Sequence, residues 1–192
     1  FGTGYSSLGY LHKLPVDAGF TCPNIDGTKA TGGCAYCNNR SFSLGLPHRL
    51  LSVREQVLQQ RDRVLHSRRH KAKKFLVYFQ AFSNTYGPVE HLQQLYDAAL
   101  GVDDVVGLDI STRPDCVPDA VLDLLEDYGR RTHVWLELGL ESSHDVTLDR
   151  INRAHHWADF ESAVRRAAGR NLHLCAHLIL GLPGETPAMI RE

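Results

Sequence analysis

The chain has 192 residues, 43% of them hydrophobic and 22% charged, with 21 Lys and Arg against 22 Asp and Glu for a formal net charge of -1. That balance suits one globular domain with a single core. It excludes a disordered chain and a protein that coats nucleic acid by bulk charge, though not one with a local basic face. The longest strongly apolar stretch, residues 172–182, is broken by His173 and His177 and falls short of the roughly 20 residues that a spanning helix needs. Neither a membrane nor DNA is an expected partner. No secretory signal is visible, and five cysteines, an odd number, make a poor disulfide framework, so a reduced, cytoplasmic setting is expected.

In chain order, residues 13–20 predict a short strand, and residues 21–39 a loop by their Gly, Asn, Asp and Pro content. Ser52 with Glu55 forms a capping box, and Val53, Val57, Val64 and Leu65 keep a helical face to about His66. Residues 75–80 follow as a strand. A helix from Pro88 turns Val89, Leu92, Leu95 and Ala99 to one side. Residues 105–110 form the next strand, and Pro118 and Asp119 open a helix with Val121, Leu124, Leu125 and Tyr128 inward and Gly129 at its end. Residues 133–140 predict a strand, 145–151 a short helix, 157–168 a helix stopped by Gly169, and 172–180 a fifth strand. Strands alternating with helices predict parallel βαβ units. Five strands begin a barrel without closing it. With no initial Met and a last segment resembling a first helical turn, the chain is expected to be a fragment of a longer polypeptide, the alternative being a complete open α/β sheet.

The strongest local signal is a loop with Cys22, Cys34 and Cys37 set among glycines. By spacing alone it fits a 4Fe-4S cluster held by three thiolates, with one iron open to an external ligand. It equally fits zinc completed by a His such as His48 or one brought in from afar, with unligated cysteines as the lesser alternative. Polar groups gather at the expected C-terminal ends of the strands, where parallel α/β folds build their sites. They are Gln80 to Tyr86, Ser111 to Asp115, Glu141 to Ser143, and Gly181 to Glu185. Each also fits an ordinary turn or helix cap.

These segments together resemble the radical S-adenosylmethionine (radical SAM) superfamily, and within it the YhcC-like proteins, relatives of the Elongator catalytic subunit and of oxygen-independent coproporphyrinogen oxidase. The likeness runs from about residue 13 to 185. It rests on Asp17-Ala-Gly-Phe-Thr-Cys-Pro-Asn-Ile-Asp-Gly-Thr, Gly-Gly-Cys-Ala-Tyr-Cys-Asn-Asn, Ser-Thr-Arg-Pro-Asp, Leu-Glu-Leu-Gly-Leu-Glu-Ser, Ile-Asn-Arg-Ala-His and His-Leu-Ile-Leu-Gly-Leu-Pro-Gly-Glu. The resemblance implies a partial (β/α)6 TIM-like barrel of which residues 1–192 would hold about five units, without the sixth strand and a C-terminal extension. It implies a 4Fe-4S cluster on Cys22, Cys34 and Cys37, and S-adenosylmethionine on the open iron. Ser83, Asn84 and Thr85 stand where relatives hold the SAM amino group with a Gly-rich turn. Ser111 stands where relatives often place a carboxylate on SAM, and Glu141 at a position commonly Gln that contacts ribose. Arg153 matches an Arg that pairs with the SAM carboxylate, and His177 stands where relatives place a ribose-contacting Asp. Leu180 and Gly181 belong to the segment laid against adenine. On residue type alone, Arg153 equally suits a helix end, Glu141 a helix cap and His177 a core position.

Cys116 and Cys175 are expected to be buried small hydrophobes. The basic run of residues 66–74 is either a solvated helix end or a phosphate-contacting patch for RNA. The resemblance further implies an electron donor such as flavodoxin or ferredoxin, and a tRNA wobble uridine as the substrate named first, with a small metabolite as the alternative. A non-catalytic zinc module or an electron-transfer module is the rival of another class.

Overall fold

A computed structural model describes residues 10–38, 51–67 and 73–191. Five strands, β1 (Leu11–Val16), β2 (Lys74–Phe79), β3 (Val105–Thr112), β4 (His133–Glu141) and β5 (His173–Leu178), form one sheet in the order of the chain. Every neighbouring pair is parallel. The helices are α1 (Val53–Leu65), α2 (Val89–Leu100), α3 (Asp119–Gly129), the short α4 (Asp145–Arg150) and α5 (Trp157–Ala167).

Strand alternation divides the sheet into two chemically different faces. Leu14 and Val16, Phe75, Val77 and Phe79, Leu108 and Ile110, Val134, Leu136 and Leu138 are all buried in one apolar cluster with the helices. Removing each large side chain from water there contributes about 1.5–3 kcal/mol. The alternate positions carry Lys13, Tyr78, Asp109, Ser111, Glu137, Cys175 and His177. Lys13 on β1 pairs with Asp109 on β3 and reaches Glu137 on β4 at 3.0 Å. In a flat sheet β1 and β4 lie ~14 Å apart with side chains standing off the surface, so the sheet curls around this polar face as a barrel wall does.

Helix faces follow the sequence pattern with two shifts. In α2 the buried residues are Leu92, Tyr96 and Ala99, with Val89 and Leu95 packed at the margin. In α3, Leu122 joins Val121, Leu125 and Tyr128 inside, and Leu124 is only partly buried. Tyr96 enters the core because its hydroxyl donates to the Asn84 carbonyl at 2.7 Å.

Strand limits differ more. β1 stops at Val16, four residues short of the expected end, because the Asp17 carboxylate accepts the Gly19 N–H at 3.0 Å and turns the chain. Gln56 of α1 then clamps both backbone groups of Asp17, at 3.0 and 2.9 Å. β3 runs on to Thr112 because β4 pairs with it through Ser111↔Glu137 and Thr112↔Leu138.

Candidate functional site

After β1 the chain enters the cysteine loop, whose shape is set by its own backbone. The Cys22 carbonyl accepts from Ile25 and Asp26 at 2.8 and 3.0 Å, and the Cys34 carbonyl from Cys37 at 2.9 Å. The turn after α4 holds this loop from outside. Asn152 donates from its side chain to Thr31 and Gly33 carbonyls at 3.1 and 2.8 Å, Ala35 donates to Ile151 at 2.9 Å, and Asn24 donates to the Asn152 carbonyl. Asn152 and Ala154 hold φ of 55°, a left-handed conformation that only a few non-glycine residues adopt.

Cys22 and Cys34 are buried, Cys37 is exposed, and none of the five cysteines is in a disulfide. The three loop thiols line one solvent-open cavity with Ser83, Ser111, Arg113, Glu141 and Arg153. Among the described residues, the one set of three metal-ligating groups within 4.8 Å of one another lies elsewhere, so at least one pair of loop thiols stands further apart than that. A group of several atoms suits that spacing, and a four-iron cluster is such a group.

The electrostatics fit a thiolate-bound group as well. Arg113 and Arg153 are 2% and 6% exposed, and buried guanidiniums remain charged. Arg153 donates to Cys34 Sγ at 3.6 Å, to the Gly139 carbonyl at 2.5 Å and to His155 Nε2 at 2.8 Å, with Glu141 at 3.4 Å. Asn24 adds a second donor to Cys34 Sγ at 3.4 Å. Arg113 is bidentate to Asp115, both contacts 2.9 Å, and donates to the Arg153 carbonyl. This pairing holds the Asp115 carboxyl down to about 2, against the opposing effect of burial. Cationic and N–H donors aimed at sulfur stabilise thiolates and lessen the charge of a thiolate-bound cluster.

Of the residues expected at the SAM site, Ser83, Ser111, Glu141, Arg153 and His177 line this cavity. Arg153 is not the helix-end surface residue that its type also allowed. Asn84 and Thr85 do not line it: Asn84 donates to the Ser111 carbonyl at 2.8 Å, and Thr85 bonds Thr112 and the Cys116 carbonyl at 2.7 and 2.6 Å. Both are buried staples between the ends of β2 and β3, so the turn presents Gln80, Phe82 and Ser83 to the cavity instead. Leu180 is 71% exposed and lies in an apolar groove that shares only Glu141 with the cysteine cavity. Gly181 lines neither. Cys116 is buried as expected, whereas Cys175 is only partly buried and stands on the polar face of β5. His48 and residues 68–72 of the basic run lie outside the described residues.

Glu141 ends β4 with φ of 73°. Gly139 beneath it leaves room for both groups, because a Cβ there would stand 2.6 Å from Arg153 Nη2 and Glu141 Oε1 and displace them. Tyr36, between Cys34 and Cys37, is partly exposed, and desolvation of its hydroxyl, with the nearby Glu141 charge, pushes it above the usual phenol range.

Sequence reasoning missed the polar layer beneath the cavity. Asp109 and Glu137 are 0% and 5% exposed, held by Lys13 and, for Glu137, by His177 Nε2 at 2.9 Å. Burial and the neighbouring Glu137 push the Asp109 carboxyl well above the usual carboxylate range, while His177 and Lys13 hold Glu137 below it. Carboxylates inside strands that otherwise read as continuous aliphatic runs were the available signal.

A sequential parallel sheet with three thiols and two buried guanidiniums at the C-terminal ends of its strands defines a barrel-type protein that binds a thiolate-held group. The model of the radical SAM superfamily matches residues 25–192. Protein YhcC of Escherichia coli (strain K12) is 47% identical over 180 residues, which cover 93% of this chain and 56% of YhcC. Protein YtqA of Bacillus subtilis (strain 168) is 40% identical over 182 residues, covering 95% and 56%. The chain thus spans a little over half the length of these relatives. Among solved structures, Elp3 of Methanocaldococcus infernus superposes with a TM-score of 0.62 at 17% identity, covering 93% of this chain and 40% of Elp3. The cobalamin-dependent radical enzyme OxsB, with aqua-cobalamin and S-adenosylmethionine bound, gives 0.56 at 18% identity, covering 86% and 23%. The chain belongs to the radical SAM superfamily, whose enzymes use a 4Fe-4S cluster and S-adenosylmethionine.

Proposed function

We propose that this chain is the core of an enzyme that cleaves S-adenosylmethionine reductively and passes the resulting radical to a tRNA base. The observation that carries the cleavage reading is the meeting of Cys22, Cys34 and Cys37 with Arg153 and Glu141 around one cavity. Cys22, Cys34 and Cys37 would hold the cluster, whose chemistry there would be delivery of one electron, taken from a flavodoxin or ferredoxin, for the reductive cleavage of SAM to methionine and a 5'-deoxyadenosyl radical. Arg153, with its Nη2 turned toward Glu141, offers N–H groups to the SAM carboxylate. Glu141 accepts from a ribose hydroxyl, and Ser83 and Ser111 bond the methionine end. The buried Thr85, Thr112 and Asn84 keep these strand ends in register. Excluding water here protects a radical that would abstract hydrogen from any C–H in reach.

The tRNA reading rests on the motif resemblance to the Elongator catalytic subunit, with the wobble uridine as the base; a likeness of fold to Elp3 accompanies it. The basic run supplies sequence-independent phosphate contacts, and Lys/Arg→Ala changes there weaken tRNA binding and flatten its salt dependence. Equal binding by that variant overturns the role of the run.

The cleavage reading is tested on the full-length protein, reconstituted anaerobically with iron and sulfide. A 4Fe-4S EPR signal perturbed by SAM, with 5'-deoxyadenosine formed by the wild type and not by Cys34→Ala, is the expected result. Stoichiometric zinc without sulfide overturns it, leaving a zinc module, and a cluster indifferent to SAM leaves an electron-transfer module.

A further inference from the structure

We propose that Glu137, Cys175 and His177 form a second metal site, for one divalent ion of the zinc class, inside the barrel and apart from the cysteine loop. Among the described residues these three are the one group of His, Cys, Asp and Glu whose ligand atoms all lie within 4.8 Å of one another. The strands produce the arrangement directly. Glu137 and Cys175 are register partners across β4 and β5, and His177 is two residues further along the same face. His177 pairs with Gly139, which has no side chain, so its ring leans back over Glu137 with Nε2 at 2.9 Å from Oε2.

Thiolate, imidazole and carboxylate are the donors zinc takes, and three protein ligands leave a fourth position for water or substrate. Tetrahedral bonds of ~2 Å to N and O place these two atoms ~3.3 Å apart, so the ion replaces the His177–Glu137 hydrogen bond after a shift of a few tenths of an ångström. Supporting contacts are already present. Lys13 holds the other oxygen of Glu137 at 3.0 Å, which leaves Oε2 for the ion and fixes the carboxylate. The layer pairs the buried carboxylates Asp109 and Glu137 with Lys13 and His177, and Asp109 Oδ1 is buried without a hydrogen-bond donor. A divalent cation offsets Glu137 and the thiolate it creates. Binding releases the Cys175 thiol proton to solvent and involves no redox change. His177 also lines the cysteine cavity, so the fourth position faces the substrate side, where it would take a carbonyl oxygen or sulfur.

The proposal is independent of radical chemistry and is tested without it. The full-length protein carrying Cys22→Ala, Cys34→Ala and Cys37→Ala is titrated with cobalt(II) alone. One equivalent per chain, with a sulfur-to-cobalt charge-transfer band, is expected. The band disappears when Cys175→Ser is added, and affinity falls at least ~10-fold in His177→Ala. No band, or a band that survives Cys175→Ser, overturns the site. Should the triple variant fail to fold, cluster-loaded wild type and its Cys175→Ser form are dialysed against zinc. One additional zinc in the wild type supports the site, and equal zinc overturns it.

Discussion

Arg153 is the residue on which the cavity turns, because one guanidinium meets a loop thiol, a strand carbonyl, an imidazole and a carboxylate at once. Its place depends on the absence of a side chain at Gly139, where a methyl group meets Arg153 and Glu141 at 2.6 Å. Gly139→Ala is therefore expected to weaken SAM binding by about tenfold or more, equivalent to ~1.4 kcal/mol, while the cluster still forms. Titrating SAM into the reconstituted variant by EPR checks this, and wild-type affinity would show that the guanidinium does not reach SAM. His155 gives the site a pH signature. Its Nε2 accepts from Arg153, so the ring proton sits on Nδ1, which is buried without a partner. Burial, then the charges of Arg153 and Arg113, push its pKa down to about 4. Below its ordinary value of about 6.5 the unfolded chain takes up a proton that the folded chain refuses. Stability therefore falls as pH drops from about 6.5 to 4, by roughly 3 kcal/mol in all, and is indifferent to this group at higher pH. Urea unfolding across that window is expected to show this loss in the wild type and not in His155→Gln.

At the scale of elements, the sequence was most legible where period and caps coincide. The Ser52–Glu55 capping box starts α1 as expected, and Gly169, at φ of 79°, stands just after α5. Helix faces were less legible because a buried Tyr such as Tyr96 looks amphipathic until its hydroxyl has a partner. Strand ends were least legible, since they depend on a neighbour's register rather than on local residues, as Ser111 and Thr112 show. Close approach is equally invisible in one dimension. Gly107 lies where a Cβ would stand 2.2 Å from the His133 carbonyl oxygen, so Gly107→Ala forces β3 and β4 apart. A loss of about 1–3 kcal/mol is expected, read as a lower urea midpoint with unchanged slope. The turn after α4 behaves as a clasp. Asn152→Ala deletes both side-chain bonds to the cysteine loop, about 1 kcal/mol each. The cluster of that variant is expected to be stripped several-fold faster by an iron chelator, followed by its visible absorbance. Wild-type kinetics would mean that the loop holds its shape unaided.

Over the whole molecule, the alternation of strands with helices announced the parallel sheet, and the cysteine spacing with the strand-end motifs announced the cavity. His177 was named from its motif, but Lys13, Asp109 and Glu137, which complete the inward layer, stayed hidden because they are scattered over three strands and only the curl of the sheet brings them together. Among the described residues no helix is long and apolar enough to cross a membrane.

The clasp on the cysteine loop also sets an order of events. Asn24, Thr31, Gly33 and Ala35 are held by residues 151–152, more than 110 positions later in the chain. During synthesis all three cysteines leave the ribosome long before their holder exists. At about 5–20 residues per second that interval is roughly 6–24 s. Throughout it the thiols are on an unsupported loop, open to oxidation and stray metals. If the three cysteines hold the proposed cluster, its stable loading is expected only after residues 151–152, and with them the first four strands, have been made.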